Sequence, residues 1–195
     1  VSWGAQAAFG FGERNRMKRA AIAGILFLSF IPFARIEGAE MIVQTCFSPQ
    51  GKCSVYILRE IESAKHELLV AVYAFTSAEL AGALVQAKRR GVSVQVVVDR
   101  EFDQANENSK ARFLDAQRVP VRRISAAPLP MQNKEPGLMH QKFAVIDRRL
   151  VFTGSYNWTH SADTRNDENL LMFHNAGRLA EEYRKAFLQL WKRKS

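Results

Sequence analysis

Apolar residues along this chain fall into two alternating periods. From Leu68 to Phe75 (LLVAVYAF) and from Val92 to Val98 (VSVQVVV) they run almost unbroken over strand length, as expected for strands covered on both sheet faces. Between these runs Leu80, Leu84 and Ala87 recur at helical spacing over Ala78 to Arg90, with Ser77 placed to cap the helix and Gly91 to end it. Strand, helix and strand in that order make a right-handed crossover with parallel strands. Upstream, Met41 to Cys46 reads as a strand, and Ser54 to Lys65 as a helix carrying Val55, Leu58 and Ile61 on one side. Downstream the pattern predicts a polar helix over Asp103 to Gln117, a short strand from Val119 to Ile124, and a surface loop between Ser125 and Gly137 that holds three prolines. Met139 to Asp147 and Leu150 to Thr153, separated by Arg148 and Arg149, form a hairpin, and Glu168 to His174 adds another strand. A last helix over Ala176 to Lys192 presents Leu179, Tyr183, Phe187 and Leu190 as a core-facing stripe. The expected fold class is α/β, with a mixed, mostly parallel central sheet flanked by helices on both faces. No internal repeat appears, and one domain is expected.

The first forty residues follow neither period. Arg14, Arg16, Lys18 and Arg19 precede an apolar run of 15 residues, Ala20 to Ala34, broken by Pro32. That is short for a membrane span, which needs about 20 residues, and has the length and basic flank of a signal-peptide core. Residues 1–39 are therefore expected to be an upstream extension and signal peptide, with Met17 as the natural start, and residues 40–195 the folded domain. An uncleaved anchor and a buried N-terminal helix are the alternatives. Export implies no stable membrane span once the signal is cleaved.

Composition narrows the class more than the function. The 195 residues are 47% hydrophobic and 24% charged, which excludes a wholly disordered chain, a collagen-like repeat and a polytopic membrane protein. Lys plus Arg outnumber Asp plus Glu by 28 to 19, a net charge of +9, and the chain beyond residue 39 stays positive at +6. Such a balance favours a polyanionic partner, either nucleic acid or an acidic lipid surface. Lys88, Arg89 and Arg90, Arg122 and Arg123, and Arg148 and Arg149 form clusters that could follow a phosphate backbone, although any one of them also suits plain solvated surface. No helix-turn-helix or finger spacing is present, so cutting of DNA would carry little base preference. The two cysteines, Cys46 and Cys53, bracket the turn formers Pro49 and Gly51. In an oxidising compartment a disulfide is expected, a local staple worth about 2–3 kcal/mol. A zinc site recruiting His66 is the rival, but it lacks a fourth ligand and finger spacing.

Candidate chemistry lies between His140 and Glu168. On a strand His140 and Lys142 share one face, while Phe143 and Val145 point into a core, and Asp147 falls where the hairpin turns. An imidazole beside an ammonium is costly in a dry core and useful in front of a phosphate. In the segment Thr153 to Trp158, Gly154 lets the chain approach a ligand closely, and Ser155 and Asn157 offer a hydroxyl and an amide from one side.

His140, Lys142 and Asp147 match H-x-K-x4-D, and Gly154, Ser155 and Asn157 match G-S/G-x-N; on these motifs the chain resembles the phospholipase D superfamily, and within it the short, exported bacterial endonuclease branch with one motif per chain. FSPQG at Phe47 to Gly51, AVYAFTS at Ala71 to Ser77 and TRNDEN at Thr164 to Asn169 are supporting segments, and the likeness runs from Ile42 to Trp191. The resemblance implies a phospholipase D-like domain in which His140 is catalytic, Lys142, Ser155 and Asn157 bind phosphate, Asp147 and Gly154 support them, and Glu168 orients the histidine. The Cys46 and Cys53 pair departs from that pattern near the expected site. The resemblance also places the protein in a bacterial periplasm or the medium.

A neutral imidazole can attack phosphorus and leave a phosphohistidine, with Lys142, Ser155 and Asn157 stabilising charge on the oxygens and no cofactor or metal required. The leaving oxygen then needs a second, protonated histidine. His66, His160 and His174 each lack a lysine two residues on, so the expected solution is a homodimer with one composite site in which His140 appears twice. The expected activity is a metal-independent, sequence-nonspecific DNA endonuclease. A phospholipase D-type hydrolase of anionic phospholipid headgroups or cardiolipin is the first alternative, and a non-catalytic nucleic-acid or envelope binding module the second. A metal-dependent nuclease ranks lower, because the spacing of Asp163, Asp167 and Glu168 does not specify a two-metal site.

Overall fold

The computed structural model describes residues 39–125 and 137–193. In chain order they form β1 (Ile42–Ser48), α1 (Cys53–Ser63), β2 (Glu67–Val72), α2 (Ala78–Arg89), β3 (Ser93–Asp99), α3 (Arg100–Ala105), α4 (Ala111–Ala116), β4 (Val121–Ile124), β5 (Lys142–Ile146), β6 (Leu150–Gly154), α5 (His160–Thr164), β7 (Glu168–His174) and α6 (Gly177–Lys192). The expected signal segment, most of the expected proline-bearing loop, and Lys194 lie outside the described residues.

The strands make one seven-stranded sheet in the order β1-β7-β6-β5-β2-β3-β4. Of its six pairings only β2 with β3 and β3 with β4 are parallel; β1 with β7, β7 with β6, β6 with β5 and β5 with β2 are antiparallel. The expectation of a mostly parallel sheet is therefore wrong: the sheet is mixed and mostly antiparallel. Continuous apolar runs report that both faces are covered, whatever the strand direction. β5 has antiparallel neighbours on both sides, yet four of its five residues are buried. Direction follows instead from the connections. Parallel neighbours need a crossover of a dozen or more residues, whereas three residues join β5 to β6 and leave only the antiparallel solution.

Alternation along the strands sorts the core into two layers. Leu68, Val70, Val72, Val96, Ala144 and Phe152 face Ile57 and Ile61 of α1, Leu80 and Leu84 of α2, and Leu114 of α4. Leu69, Ala71, Val97, Phe143, Val145 and Val151 face Ala180, Phe187 and Leu190 of α6. Helices thus cover both faces, as the apolar stripes predict. The expected single polar helix is instead two short ones. Asn106 leaves the helical region, and its side chain accepts from the Asn108 N–H in a local turn. The buried Asp103 carboxylate is held there by the Ser109 hydroxyl and Arg123.

Cys46 and Cys53 form a disulfide that ties β1 to the first residue of α1 inside the core. Oxidised sulfurs are not thiolate ligands, which overturns the zinc alternative.

Two carboxylates stitch distant segments together. At the hairpin turn Asp147 and Arg148 adopt left-handed backbone (φ 49° and 55°), and the Asp147 carboxylate accepts from the N–H groups of Lys65, His66 and Glu67 at 2.9, 2.7 and 2.9 Å. Asp163 accepts from the Ser54 N–H and hydroxyl and from the Tyr156 phenol at 3.0, 2.9 and 2.7 Å. Burial alone would raise both carboxyl pKa values, but these donors, with His66 beside Asp147 and His160 beside Asp163, outweigh it and hold both below the ordinary range. A folded pKa below the unfolded one means stability that is present above about pH 4 and lost as pH falls through the folded values. The melting temperature is expected to be flat above about pH 5 and to drop below about pH 4. Asp147→Asn should cost about 1–2 kcal/mol at neutral pH and flatten part of that acid limb in a series of thermal melts; an unchanged limb would refute the assignment.

Candidate active site

His140 is not on a strand: β5 starts at Lys142, and residues 137–141 have no regular structure. The Met139 N–H donates to Oδ2 of Asp99 at 2.8 Å instead of joining a ladder. Asp99 is fully buried at the end of β3, and its other oxygen caps α3 by accepting from the Phe102 N–H at 2.9 Å. On the far side of His140, the Gln141 carbonyl accepts from the Tyr73 N–H at 2.9 Å. The backbone is pinned on both flanks, and the imidazole between stands exposed.

Tyr73 packs against both residues of the motif. Its ring centroid lies 4.7 Å from that of His140 at a tilt of 58°, and 5.3 Å from the Lys142 ammonium. Lys142 Nζ donates to the His140 carbonyl at 3.0 Å, which turns the ammonium back towards the histidine. Burial lowers the Lys142 pKa, partly offset by the charge of Glu168.

The second motif follows β6. Gly154 has φ +148° because β7 passes very close: a Cβ there would lie 2.2 Å from the Asn169 carbonyl oxygen. That carbonyl accepts from the Ser155 and Tyr156 N–H groups at 3.1 and 3.3 Å, and the Ser155 hydroxyl accepts from the Asn169 N–H at 3.0 Å. Asn157 is turned by a different partner. Its Oδ1 accepts from the Ala74 N–H at 3.2 Å, which leaves the amide NH2 as the group it offers to an anion.

His140, Lys142, Gly154, Ser155, Asn157 and Glu168 line one open cleft of about 580 Å³, together with Asn169. Asp147 does not join them. It lies at the other end of β5, about 17 Å away at the usual strand rise, where it holds the hairpin. Glu168 lines the cleft, but its Oε1 accepts from Asn166 Nδ2 at 3.1 Å, and no hydrogen bond joins it to His140 within the described residues. The three other histidines are elsewhere. His66 and His174 line a cleft of about 420 Å³ beside Asp147, and His160 begins α5.

Sequence reading missed Tyr73, Asp99 and Asn169. Tyr73 and Asn169 sit inside the AVYAFTS and TRNDEN segments, and Asp99 closes an apolar strand, so a polar residue ending a buried run was the available signal. Among the described residues no group of three or more His, Cys, Asp or Glu side chains is placed to hold a metal ion, and Asp163 is engaged by Ser54 and Tyr156. An imidazole, an ammonium, a hydroxyl and an amide around one opening suit a tetrahedral anion.

Comparison with known proteins agrees with this geometry. A family profile described as "Cardiolipin synthase, PLD-like domain" matches residues 57–191. The chain is 34% identical over 149 residues to a "Phospholipase D" of Rickettsia felis, covering 76% of this chain and 67% of that protein. It is 31% identical over 189 residues to the human "Mitochondrial cardiolipin hydrolase", covering 92% of this chain and 69% of that protein. It thus spans about two thirds of the length of these curated relatives. Among solved structures, Nuc of Salmonella typhimurium, a phospholipase D family member, superposes with a TM-score of 0.68 at 32% identity, covering 78% of this chain and 95% of that one. NucT of Helicobacter pylori gives a TM-score of 0.72 at 26% identity, covering 78% and 97%. With the profile running through His140, Lys142, Ser155, Asn157 and Glu168, and two Nuc-type folds matched nearly end to end, this chain belongs to the phospholipase D superfamily and is a phosphodiester-cleaving enzyme related to the bacterial Nuc-type proteins.

Proposed function

We propose that this protein is a sequence-nonspecific DNA endonuclease that works without a metal, through a phosphohistidine in a site shared by two copies of the chain. The carrying observation is that the cleft holds one histidine with an ammonium, a hydroxyl and an amide, while the chain's other three histidines lie outside it. One His140 imidazole attacks phosphorus; the N–P bond forms as the P–O bond to the leaving nucleoside breaks, and that oxygen takes a proton from the protonated His140 of the second copy. The second copy's imidazole, now neutral, takes a proton from water. The water oxygen attacks phosphorus, the N–P bond breaks, and the first imidazole is restored. Lys142, Ser155 and Asn157 stabilise the charge that develops on the equatorial oxygens. Glu168 keeps the site suited to the protonated lysine and orients the imidazoles once the dimer closes the cleft.

The nuclease reading rests on the near-complete coverage of the Nuc and NucT chains and on the positive charge of the folded part. A lipid-cleaving reading has support in the printed names of the Rickettsia and human relatives. Residues 40–195 form the exported, mature domain, with export directed by the segment before it; the Cys46–Cys53 disulfide fits an oxidising compartment. No helix among the described residues is long and apolar enough to cross a membrane.

The test is to incubate the protein with EDTA and either plasmid DNA or vesicles of phosphatidylcholine and cardiolipin, and to measure its mass by equilibrium sedimentation. Nicking of plasmid by a dimer is expected. Lipid turnover without nicking would reverse the substrate, loss of activity on chelation would remove the metal-free mechanism, and an active monomer would remove the shared site.

A further inference from the structure

We infer that Tyr73 is a positioning residue: the face of its ring lets the His140 imidazole carry a proton beside the Lys142 ammonium, in the copy of the site that acts as the acid. The inference rests on the two-copy mechanism and deepens it by assigning what supports the proton donor.

That mechanism asks for two cations in one motif. The copy that protonates the leaving oxygen holds an imidazolium, and an ammonium follows two residues later. Lys142 Nζ donates to the His140 carbonyl at 3.0 Å, which keeps the two side chains close, and like charges at short range disfavour one another. Glu168 is the carboxylate that lines the cleft, but its Oε1 accepts from Asn166 Nδ2 at 3.1 Å and not from the imidazole.

Tyr73 meets both groups. Its ring centroid lies 4.7 Å from that of the imidazole and 5.3 Å from the ammonium. Both distances fall inside the roughly 6 Å over which a cation is drawn to the negative face of an aromatic ring. The substrate brings a negative phosphate to the same cleft, so a second carboxylate here would repel it. A neutral ring attracts the cations without that cost.

The ring is held in place. Tyr73 directly follows β2, and its N–H donates to the Gln141 carbonyl at 2.9 Å, which fixes its backbone beside the motif. Phe102 packs against the ring with centroids 5.3 Å apart and a tilt of 53°. The buried Asp99 caps the helix that carries Phe102 and also accepts from the Met139 N–H beside His140. Tyrosine ring and imidazole are thus both braced by one carboxylate.

The test compares wild type with Tyr73→Phe, Tyr73→Leu and Tyr73→Met on two diesters, bis(p-nitrophenyl) phosphate and a 20-nucleotide single strand of DNA. Nitrophenolate leaves without a proton, whereas the oxygen of a nucleoside needs one. Leucine and methionine both fill apolar space without a π face, and turnover of the small diester shows which of them is folded. Each should lower kcat for the strand by about ten-fold, with KM within about two-fold and small-diester turnover within about three-fold of wild type. Tyr73→Phe keeps the ring and should stay within about two-fold of wild type on both diesters. An equal loss on both diesters, a phenylalanine variant as slow as the leucine one, or an unchanged kcat for the strand overturns the inference while the two-copy mechanism stands. An active monomer overturns that mechanism, and the inference with it. Wild type that hydrolyses the small diester but not the strand overturns the nuclease reading alone; phosphatidylcholine vesicles, whose choline oxygen also needs a proton, then take the place of the strand in the same comparison.

Discussion

Replacing His140 with alanine is expected to lower kcat for diester cleavage by about 10⁴–10⁶-fold, the loss that follows when a reaction is deprived of its nucleophile. In the shared-site mechanism the substitution removes the attacking nitrogen and the proton donor together. Affinity for an oligonucleotide should change little, because Lys142, Ser155 and Asn157 remain around the opening. The fold should hardly notice: the imidazole is exposed, and the bonds that pin the segment belong to the backbone of Met139 and Gln141. Mixed dimers make the test sharper. If each reaction consumes one His140 from each copy, equal co-expression of wild-type and His140→Ala chains leaves about a quarter of the activity, since only pure wild-type dimers work. Independent sites would leave about half. A result near one half, or an alanine variant that keeps turning over substrate, would remove the proposed chemistry.

The second large effect comes from a position that touches no substrate in the mechanism. Gly154→Ala is expected to destabilise the protein by about 3–5 kcal/mol and to lower kcat/KM at temperatures where the protein is still folded. A methyl at this site would lie 2.2 Å from the Asn169 carbonyl oxygen and 2.8 Å from its side-chain oxygen, on backbone at φ +148°. The Asn169 carbonyl is the acceptor for the Ser155 and Tyr156 N–H groups, so relieving the clash means pulling β7 away from the very bonds that place the Ser155 hydroxyl. Trimming the Asn169 side chain should not rescue the variant, because the nearest contact is main chain. Urea unfolding with an unchanged m-value is the measurement; a loss under about 1 kcal/mol would show that the two strands can separate cheaply there.

Much of this was legible before any fold was known, and particular residues show why. The two halves of the motif, His140 with Lys142 and Gly154 with Ser155 and Asn157, are local patterns, and the structure brings both to one cleft. The stripe of α6, the run of β3 and the bridged cysteines were equally local. Illegible were partners set across the sequence. Asn169 is 14 residues from the Ser155 it anchors, Asp99 is 40 from Met139, and His66 is 81 from Asp147. Glu168 is the instructive case. The family resemblance implies its place at the cleft, which the structure shows, but its hydrogen-bond partner in the single chain is Asn166 and not His140.

Residue types and their periods were enough to place most of the strands and helices and the disulfide, and to bring out the His140 and Gly154 motifs that meet at one cleft, because each depends on a few neighbouring positions. Tertiary structure alone decided the direction of the strands, the tyrosine ring that packs against His140 and the partners that hold Asp147 away from the cleft. A strand buried on both faces carries the same apolar pattern whether its neighbours run with it or against it, so the choice is made by how the connections pack and not by any one segment's composition.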